Sequence, residues 1–432
     1  MDVSQPIVAE SAANPRRTPT FALHFHGWKR PILERCFPHR QFHYVPLYIS
    51  AGTFRDEWAP RILAEHQPEI FVWSLRAPEG LREFADRHGI RLFFMEDGFV
   101  RSLVPNASRT PPLSLALDSG TVYFDSRFPS DLERLLSTYD FDGHPELLAR
   151  AEKGIRFLLE TGVSKYNSSN DTDVAALYGP KDRKRVLVIG QVEDDASILY
   201  GCDRPFTNND LVRLAAQENP GAQIIYKPHP DILNRIRLAQ SNPADVASLC
   251  DIIDRPLSMS RAFETVDHVY TITSLAGFEA LMRGLKVTVC GSPFYAGWGL
   301  TDDRQPNARR GRKLSLQALF AGAYLLYPRY FDPVSGVEVS FEATVALIER
   351  HLADPPPPPP KGKPVRPAWK PWGAYGVLGW RHLLTPVVAE VVKRIGNDRD
   401  AEVFRENPIE FFRELAAPKQ RGIGRLLYPF DE

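Results

Sequence analysis

Apolar residues recur along this chain in short runs, and polar clusters close many of them. Residues 21–25, 44–49, 70–73, 92–95 and 121–124 read as strands in the first part of the chain, with helical patterns such as residues 78–88 between them. A second series begins at Arg185 and continues through residues 223–226, 268–272 and 286–290. Strands alternating with helical segments predict βαβ units and mainly parallel sheets. The polar clusters follow the strands directly: Glu96-Asp97-Gly98, Gln191-Val192-Glu193-Asp194-Asp195, Lys227-Pro228-His229-Pro230 and Thr273-Ser274. Ligands of open α/β sheets bind beyond the carboxyl ends of the strands, so this placement predicts an enzyme active site.

The pattern divides the chain. Residues 1–19 are expected to be a disordered N-terminus; residues 20–162 and 185–352 each read as a doubly wound domain. Residues 163–184, rich in Ser, Asn, Asp, Gly and Lys, read as a solvated connection between them. After a helix at residues 341–352, a linker at 353–370 carries six consecutive prolines, Pro355 to Pro360, which form a stiff extended spacer. The tail, residues 371–432, includes an amphipathic stretch at 383–395, and Trp369, Trp372 and Trp380 stand beside many basic residues. It is expected to pack on the domains; a surface-contact role is the alternative.

Composition narrows the functional classes. The 432 residues are 43% hydrophobic and 25% charged, and 53 basic residues balance 53 acidic ones. A net charge of zero argues against bulk electrostatic binding of nucleic acid. Cys36, Cys202, Cys250 and Cys290 show no paired spacing, which fits reduced thiols better than disulfides or a zinc site. Without a signal-like N-terminus or a run of roughly 18 apolar residues, the expected location is the cytoplasm.

Each cluster carries its own chemistry. Glu96 and Asp97 are adjacent carboxylates suited to general acid or base work, with Gly98 supplying a flexible turn; a helix-capping turn is the competing reading. Glu193, Asp194 and Asp195 repel one another, which calls for a cationic substrate, a metal or a catalytic use; an acidic loop with Asp195 or Ser197 as N-cap is equally compatible. Pro228 and Pro230 bracket His229 and limit its orientation, and beside Lys227 it suits a phosphate oxygen. Ser274 is a good N-cap for a helix whose start faces an anion. The glycine- and aromatic-rich loop at residues 291–302 is expected to wall a pocket for a ring-bearing ligand, or else to be a turn whose Trp fills a gap. Arg309, Arg310, Arg312 and Lys313 read as a solvated basic face.

In combination and order, these motifs resemble the KpsC-like capsular polysaccharide β-Kdo glycosyltransferases. The resemblance runs from about residue 22 to residue 326. It rests on Glu96 to Ser102, Leu117-Asp118, Tyr123-Phe124-Asp125, Pro129 to Glu133, Ser164 to Asn167, Gln191 to Ser197, Lys227 to Asp231 and Pro293 to Thr301. It implies a GT-B-like α/β architecture, with two Rossmann-like domains facing across a cleft, followed by a helical C-terminal tail. It also implies transfer of Kdo from CMP-β-Kdo to a glycolipid or oligo-Kdo acceptor, with retention through a covalent carboxylate adduct. By that resemblance Asp195 is the nucleophile, and Glu96 and Asp97 are the acid/base element. His229 and Ser274 then meet the CMP phosphate, with Lys227, Gln191, Pro230 and Gly98 completing the substrate site.

The chemistry agrees with these residue types. Departure of CMP from the quaternary anomeric carbon of Kdo leaves an oxocarbenium-like centre that a carboxylate captures. A histidine and a helix N-terminus offset the charge on the leaving phosphate, so no metal or other cofactor is expected. Family members often carry two catalytic modules, whereas this chain has one set of motifs. Implied partners are CMP-Kdo, a lipid-linked acceptor, a capsule synthesis or export complex, and the inner face of the cytoplasmic membrane through the basic, Trp-containing tail. Competing functions are a CDP-glycerol-type polymer phosphotransferase and a non-catalytic component of capsule synthesis or export.

Overall fold

The computed structural model describes residues 17–47, 49–101, 111–162, 173–229, 232, 241–255, 257–353, 384–395, 400–401, 404–405, 408–413 and 418–427. The Pro355–360 run, Trp369, Trp372, Trp380, Pro230, and the Ser164 to Asn167 motif lie outside these residues. The chain divides into two compact units. Of the described residues, one comprises those within Glu96–Pro333 and Glu338–Glu349; the other comprises those from Arg17 to Met95, within Val334–Val337 and from Arg350 onward.

In the second unit, β1 (Thr18–Leu23), β2 (Arg40–Tyr44), β3 (Glu69–Trp73) and the part of β4 (Arg91–Asp97) up to Met95 form a parallel array in the order β4-β3-β1-β2. Residues 44–49 were expected as a strand, but β2 ends at Tyr44. Pro46 has no N–H to donate and stops the ladder. Helix Leu81–His88 follows the predicted pattern and ends at Gly89, whose φ of 63° suits a left-handed C-cap. Helices Thr385–Ile395, Pro408–Arg413 and Pro418–Leu427 make the tail helical, as expected. Ala389, Phe404, Phe411 and Phe412 form its buried core.

In the first unit, β6 (Arg185–Ile189), β7 (Gln223–Lys227), β8 (Asp251–Ile252), β9 (His268–Thr271), β10 (Lys286–Val289) and β11 (Asp302–Asp303) make a fully parallel sheet in the order β11-β10-β9-β6-β7-β8. All five residues of β6 are buried, because helices cover both faces of such a sheet. Leu187, Ile189 and Val269 enter one core; Val186, Val188 and Tyr270 enter the core on the opposite face.

β5 (Ser114–Asp118) pairs antiparallel with β12 (Arg329–Phe331), which in turn pairs with β13 (Glu338–Val339). The expected strand at residues 121–124 is instead a turn. The Asp118 carboxylate accepts hydrogen bonds from the N–H groups of Gly120 (2.8 Å) and Thr121 (3.0 Å), bending the backbone there. The sheets match the α/β, GT-B-like expectation of Rossmann-like halves. Residues 174–178 of the expected connection form a short helix, and its Val174 and Tyr178 enter the core.

Two local expectations change. The aromatics of the 291–302 loop are core residues: Trp298 and Tyr295 are fully buried, and Phe294 packs on Phe99 with ring centroids 4.5 Å apart. Trp298 Nε1 donates to the Phe294 carbonyl at 2.8 Å. The arginines beyond the loop are not simply a solvated face. Arg310 is buried and pairs with buried Glu133 at 2.8 Å while donating to the Ala296 carbonyl; Arg309 reaches the same carboxylate. Glu133 thus tethers this loop to the helix Asp131–Thr138.

Removing one partner of a buried ion pair leaves the other charge uncompensated. Glu133→Ala is expected to lower the unfolding free energy by about 3 kcal/mol in urea titration. A loss under about 1 kcal/mol, the scale of an exposed pair, would contradict the tethering role.

Candidate active site at the strand ends

Every described residue singled out for chemistry lies in the first unit. β9, β6 and β7 are neighbours, and Ile189 sits in register with both Thr271 and Lys227. The clusters that follow these three strands therefore emerge side by side at one edge of the sheet.

Gln191 braces this edge. It is 7% exposed, and its Oε1 accepts from the Thr273 N–H at 2.8 Å while its Nε2 donates to Thr273 Oγ1 at 3.0 Å. Its own backbone exchanges hydrogen bonds with the Asn208 amide side chain, both at 2.9 Å. Gln191 therefore acts first as a clasp between the strand ends. Thr273 Oγ1 also lies 3.3 Å from Ser197 Oγ, which donates to Asp195 Oδ1 at 2.7 Å.

The three acids after β6 separate in role. Glu193 is buried and receives the Asn208 N–H at 2.7 Å and the Ser241 N–H at 2.8 Å, which makes it a structural acceptor. Asp195 is the N-cap of the short helix Ala196–Leu199, and its Oδ1 takes the Ser197 N–H at 2.9 Å. No hydrogen bond from a described residue ends on its Oδ2. Capping therefore occupies one oxygen and orients the other. Asp194 is partly exposed between them.

Lys227, the last residue of β7, is 5% exposed and makes no side-chain hydrogen bond with a described residue. Burial pushes its ammonium down to about 8, while the charge of Glu279 acts in the opposite direction. Glu279 is itself buried, on the helix Leu275–Met282. Ser274 caps that helix through the Ala276 N–H at 3.2 Å, and Tyr295 Oη donates to the Ser274 carbonyl. His229 is partly exposed just beyond β7.

At the end of β4, Asp97 is held by an ion pair with Arg101, Nε to Oδ2 2.7 Å, with side-chain exposures of 13% and 6%. Glu96 Oε1 accepts the Asp97 N–H at 3.0 Å. Gly98 is required by packing: a Cβ there would lie 2.8 Å from Ser114 Cβ. The β4 end is connected toward Asp195 by one loop, in which Tyr123 Oη donates to the Asp97 carbonyl at 3.2 Å. In the same loop the Ser126 N–H donates to the carbonyl of Tyr200, just past the Asp195-capped helix, at 3.0 Å.

Reasoning from sequence gave no role to Glu279, Thr273 or Tyr123. Thr273 and Glu279 stood within or beside the Ser274 cluster, but the bond of Thr273 to Gln191 and the charge effect of Glu279 on Lys227 depend on neighbouring strands. Asp118 was legible as a motif residue without a role. It is fully buried and accepts from Gly120, Thr121, Asp131 and Tyr327 Oη, the last at 2.8 Å. Burial and the nearby Asp131 push its carboxyl up to about 7.

Residues 69–330 match the capsule polysaccharide biosynthesis protein family. The lipopolysaccharide-processing protein LpsZ of Rhizobium meliloti is 45% identical over 323 residues, covering 74% of this chain and 72% of that protein. The capsule polysaccharide modification protein LipA of Neisseria meningitidis is 39% identical over 75% of this chain but only 44% of its own length. Among solved structures, the β-Kdo 2,7 transferase of Thermosulfurimonas dismutans KpsC aligns with a TM-score of 0.59 and 33% identity, covering 77% of this chain and 99% of that one. The β-Kdo 2,4 transferase of the same KpsC aligns with a TM-score of 0.63 and 29% identity, covering 77% of this chain and 98% of that one. With a strand-end site of carboxylates, lysine, histidine and a capped helix in place, this chain belongs to the capsule polysaccharide biosynthesis protein family.

Proposed function

We propose that this protein is a retaining β-Kdo glycosyltransferase that uses CMP-β-Kdo and a glycolipid or oligo-Kdo acceptor. The observation that carries the reading is Asp195: capping holds one carboxylate oxygen and leaves the other without a hydrogen bond from the described residues, on the same sheet edge as Lys227 and Ser274. The similarity to two Kdo transferase structures supports the sugar.

In this reading Asp195 Oδ2 attacks the anomeric carbon of Kdo as the bond to the CMP phosphate breaks, and the phosphate leaves with the electron pair. Lys227, His229 and the Ser274-capped helix start offset its charge. An acceptor hydroxyl then gives its proton to Glu96 and attacks the same carbon, and the Asp195 ester breaks with release of the carboxylate. Two inversions give net retention. Asp97, already paired with Arg101, serves better to hold the β4 end than to shuttle protons. Gln191 and Gly98 position the backbone around the substrate.

Incubation with CMP-Kdo and a phosphatidylglycerol-type acceptor is expected to release CMP and add sugar to the lipid. With donor alone, intact-protein mass spectrometry should show a Kdo adduct that disappears in Asp195→Ala, with turnover reduced on the order of 10³-fold. An adduct that survives this substitution would remove Asp195 from the role.

Lys227 binds the leaving phosphate as an ammonium, so kcat/KM should fall as the pH rises through its free-enzyme value of about 8. Lys227→Met should lose this alkaline limb along with roughly 100-fold of kcat/KM. Glu279→Gln should move the limb to lower pH, because burial is then less opposed. A limb unchanged in Lys227→Met would assign it to another group.

The acceptor class implies contact with a lipid surface. On helix Thr385–Ile395, Val388, Ala389 and Val392 face the tail core, whereas Val387, Val391 and Ile395 are 65%, 49% and 76% exposed. Lys393 and Arg394 stand in its last turn. Among the described residues no helix is long and apolar enough to cross a membrane. Replacing Val387, Val391 and Ile395 together by Ser should weaken pelleting with anionic liposomes several-fold while leaving the fold intact; unchanged pelleting would dismiss this face.

A further inference from the structure

The end of β1 carries a side-chain cluster that the proposed transfer does not use. His24 and His26 follow this strand, and Asp400 comes from the chain beyond the proline run. All three belong to the second unit. They are buried, at 9%, 6% and 2% exposure. One ligand atom from each lies within 4.8 Å of the other two. The two imidazole rings meet edge to face with centroids 5.5 Å apart.

The backbone is shaped to make this meeting. His24 has φ of 61°, in the left-handed region that non-glycine residues rarely occupy, and His26 returns to extended geometry with φ −60° and ψ 150°. Such outliers concentrate at functional sites because surrounding structure must hold them. The nearest buried cation in sequence is directed elsewhere: the Lys29 ammonium lies over the Trp73 ring, 2.8 Å from its centroid.

We propose that His24, His26 and Asp400 bind a divalent transition-metal ion of the zinc class. Two imidazoles with one carboxylate suit Zn(II) and its first-row neighbours better than the all-oxygen sets preferred by Mg(II) or Ca(II). Bonds of about 2.0–2.2 Å place tetrahedral ligands roughly 3.4 Å apart, a contraction that side-chain rotation supplies. The fourth position would take water. The ion joins β1 to the tail, and so stabilises the docking of a segment that lies far from β1 in sequence and is entropically costly to bring to it. This role is structural and independent of the transfer proposed above.

The test uses the full chain, stripped with chelator and then equilibrated with zinc chloride. Elemental analysis after removal of free metal is expected to find about one zinc per chain, with a higher Tm than the stripped protein. Asp400→Asn and His26→Gln preserve side-chain size and should each reduce zinc affinity at least about 10-fold and abolish the Tm rise. Cys202→Ser and Cys250→Ser should retain both. Cobalt(II) substitution of the wild-type protein should give the visible bands of nitrogen and oxygen ligation without thiolate charge transfer. Less than about 0.1 zinc per chain after equilibration, equal retention by the Asp400 and His26 variants, or a thiolate band would overturn the proposal.

Discussion

The clasp formed by Gln191 and Thr273 is the interaction on which the candidate site depends. Parallel strands leave their carboxyl ends as unpaired backbone, and β6 and β9 end together at the edge where the chemical residues emerge. A buried amide that both accepts from and donates to Thr273 satisfies those ends without water. With that contact in place, Asp195 and Ser274 leave their strands in defined directions. Each then caps a helix, which fixes side-chain geometry further.

The same economy governs the acids. A cluster of carboxylates is tolerable only when its members have different partners. Glu193 is surrounded by N–H donors, Asp195 shares itself between a cap and an open oxygen, and Asp97 meets Arg101. Capping and catalysis were competing readings of Asp195, yet one carboxylate has two oxygens, and capping one leaves the other open to the role proposed for it. Lys227 shows the complementary situation. Its position at the end of a buried strand removes water from the ammonium, and Glu279 moderates the effect from a neighbouring helix.

Legibility followed the range of the interactions. The runs at residues 70–73, 92–95, 186–189 and 224–226 were readable as strands because buried parallel strands read as near-continuous apolar runs. Thr121–Phe124 has the same residue types, but the Asp118 carboxylate turns that backbone. The aromatic loop ending in Trp298 looked suited to a ligand because glycines and rings also build pockets. Its burial depends on Phe99, Phe278 and Tyr324, which arrive from distant parts of the chain. Arg310 likewise reads as surface until Glu133 is brought to it.

By itself the sequence determined the alternation of strands and helices, the stationing of polar clusters at strand ends, and the residue types available for sugar and phosphate chemistry. Those features are local, written in hydrophobic period, prolines and caps. Tertiary structure alone decided which acid is structural and which has an open oxygen, that Gln191 is a clasp, that the charge of Glu279 counters the burial of Lys227, and that two histidines after β1 meet Asp400. These outcomes depend on which distant groups become neighbours once water is excluded, because burial and partner charge set what each polar group can do.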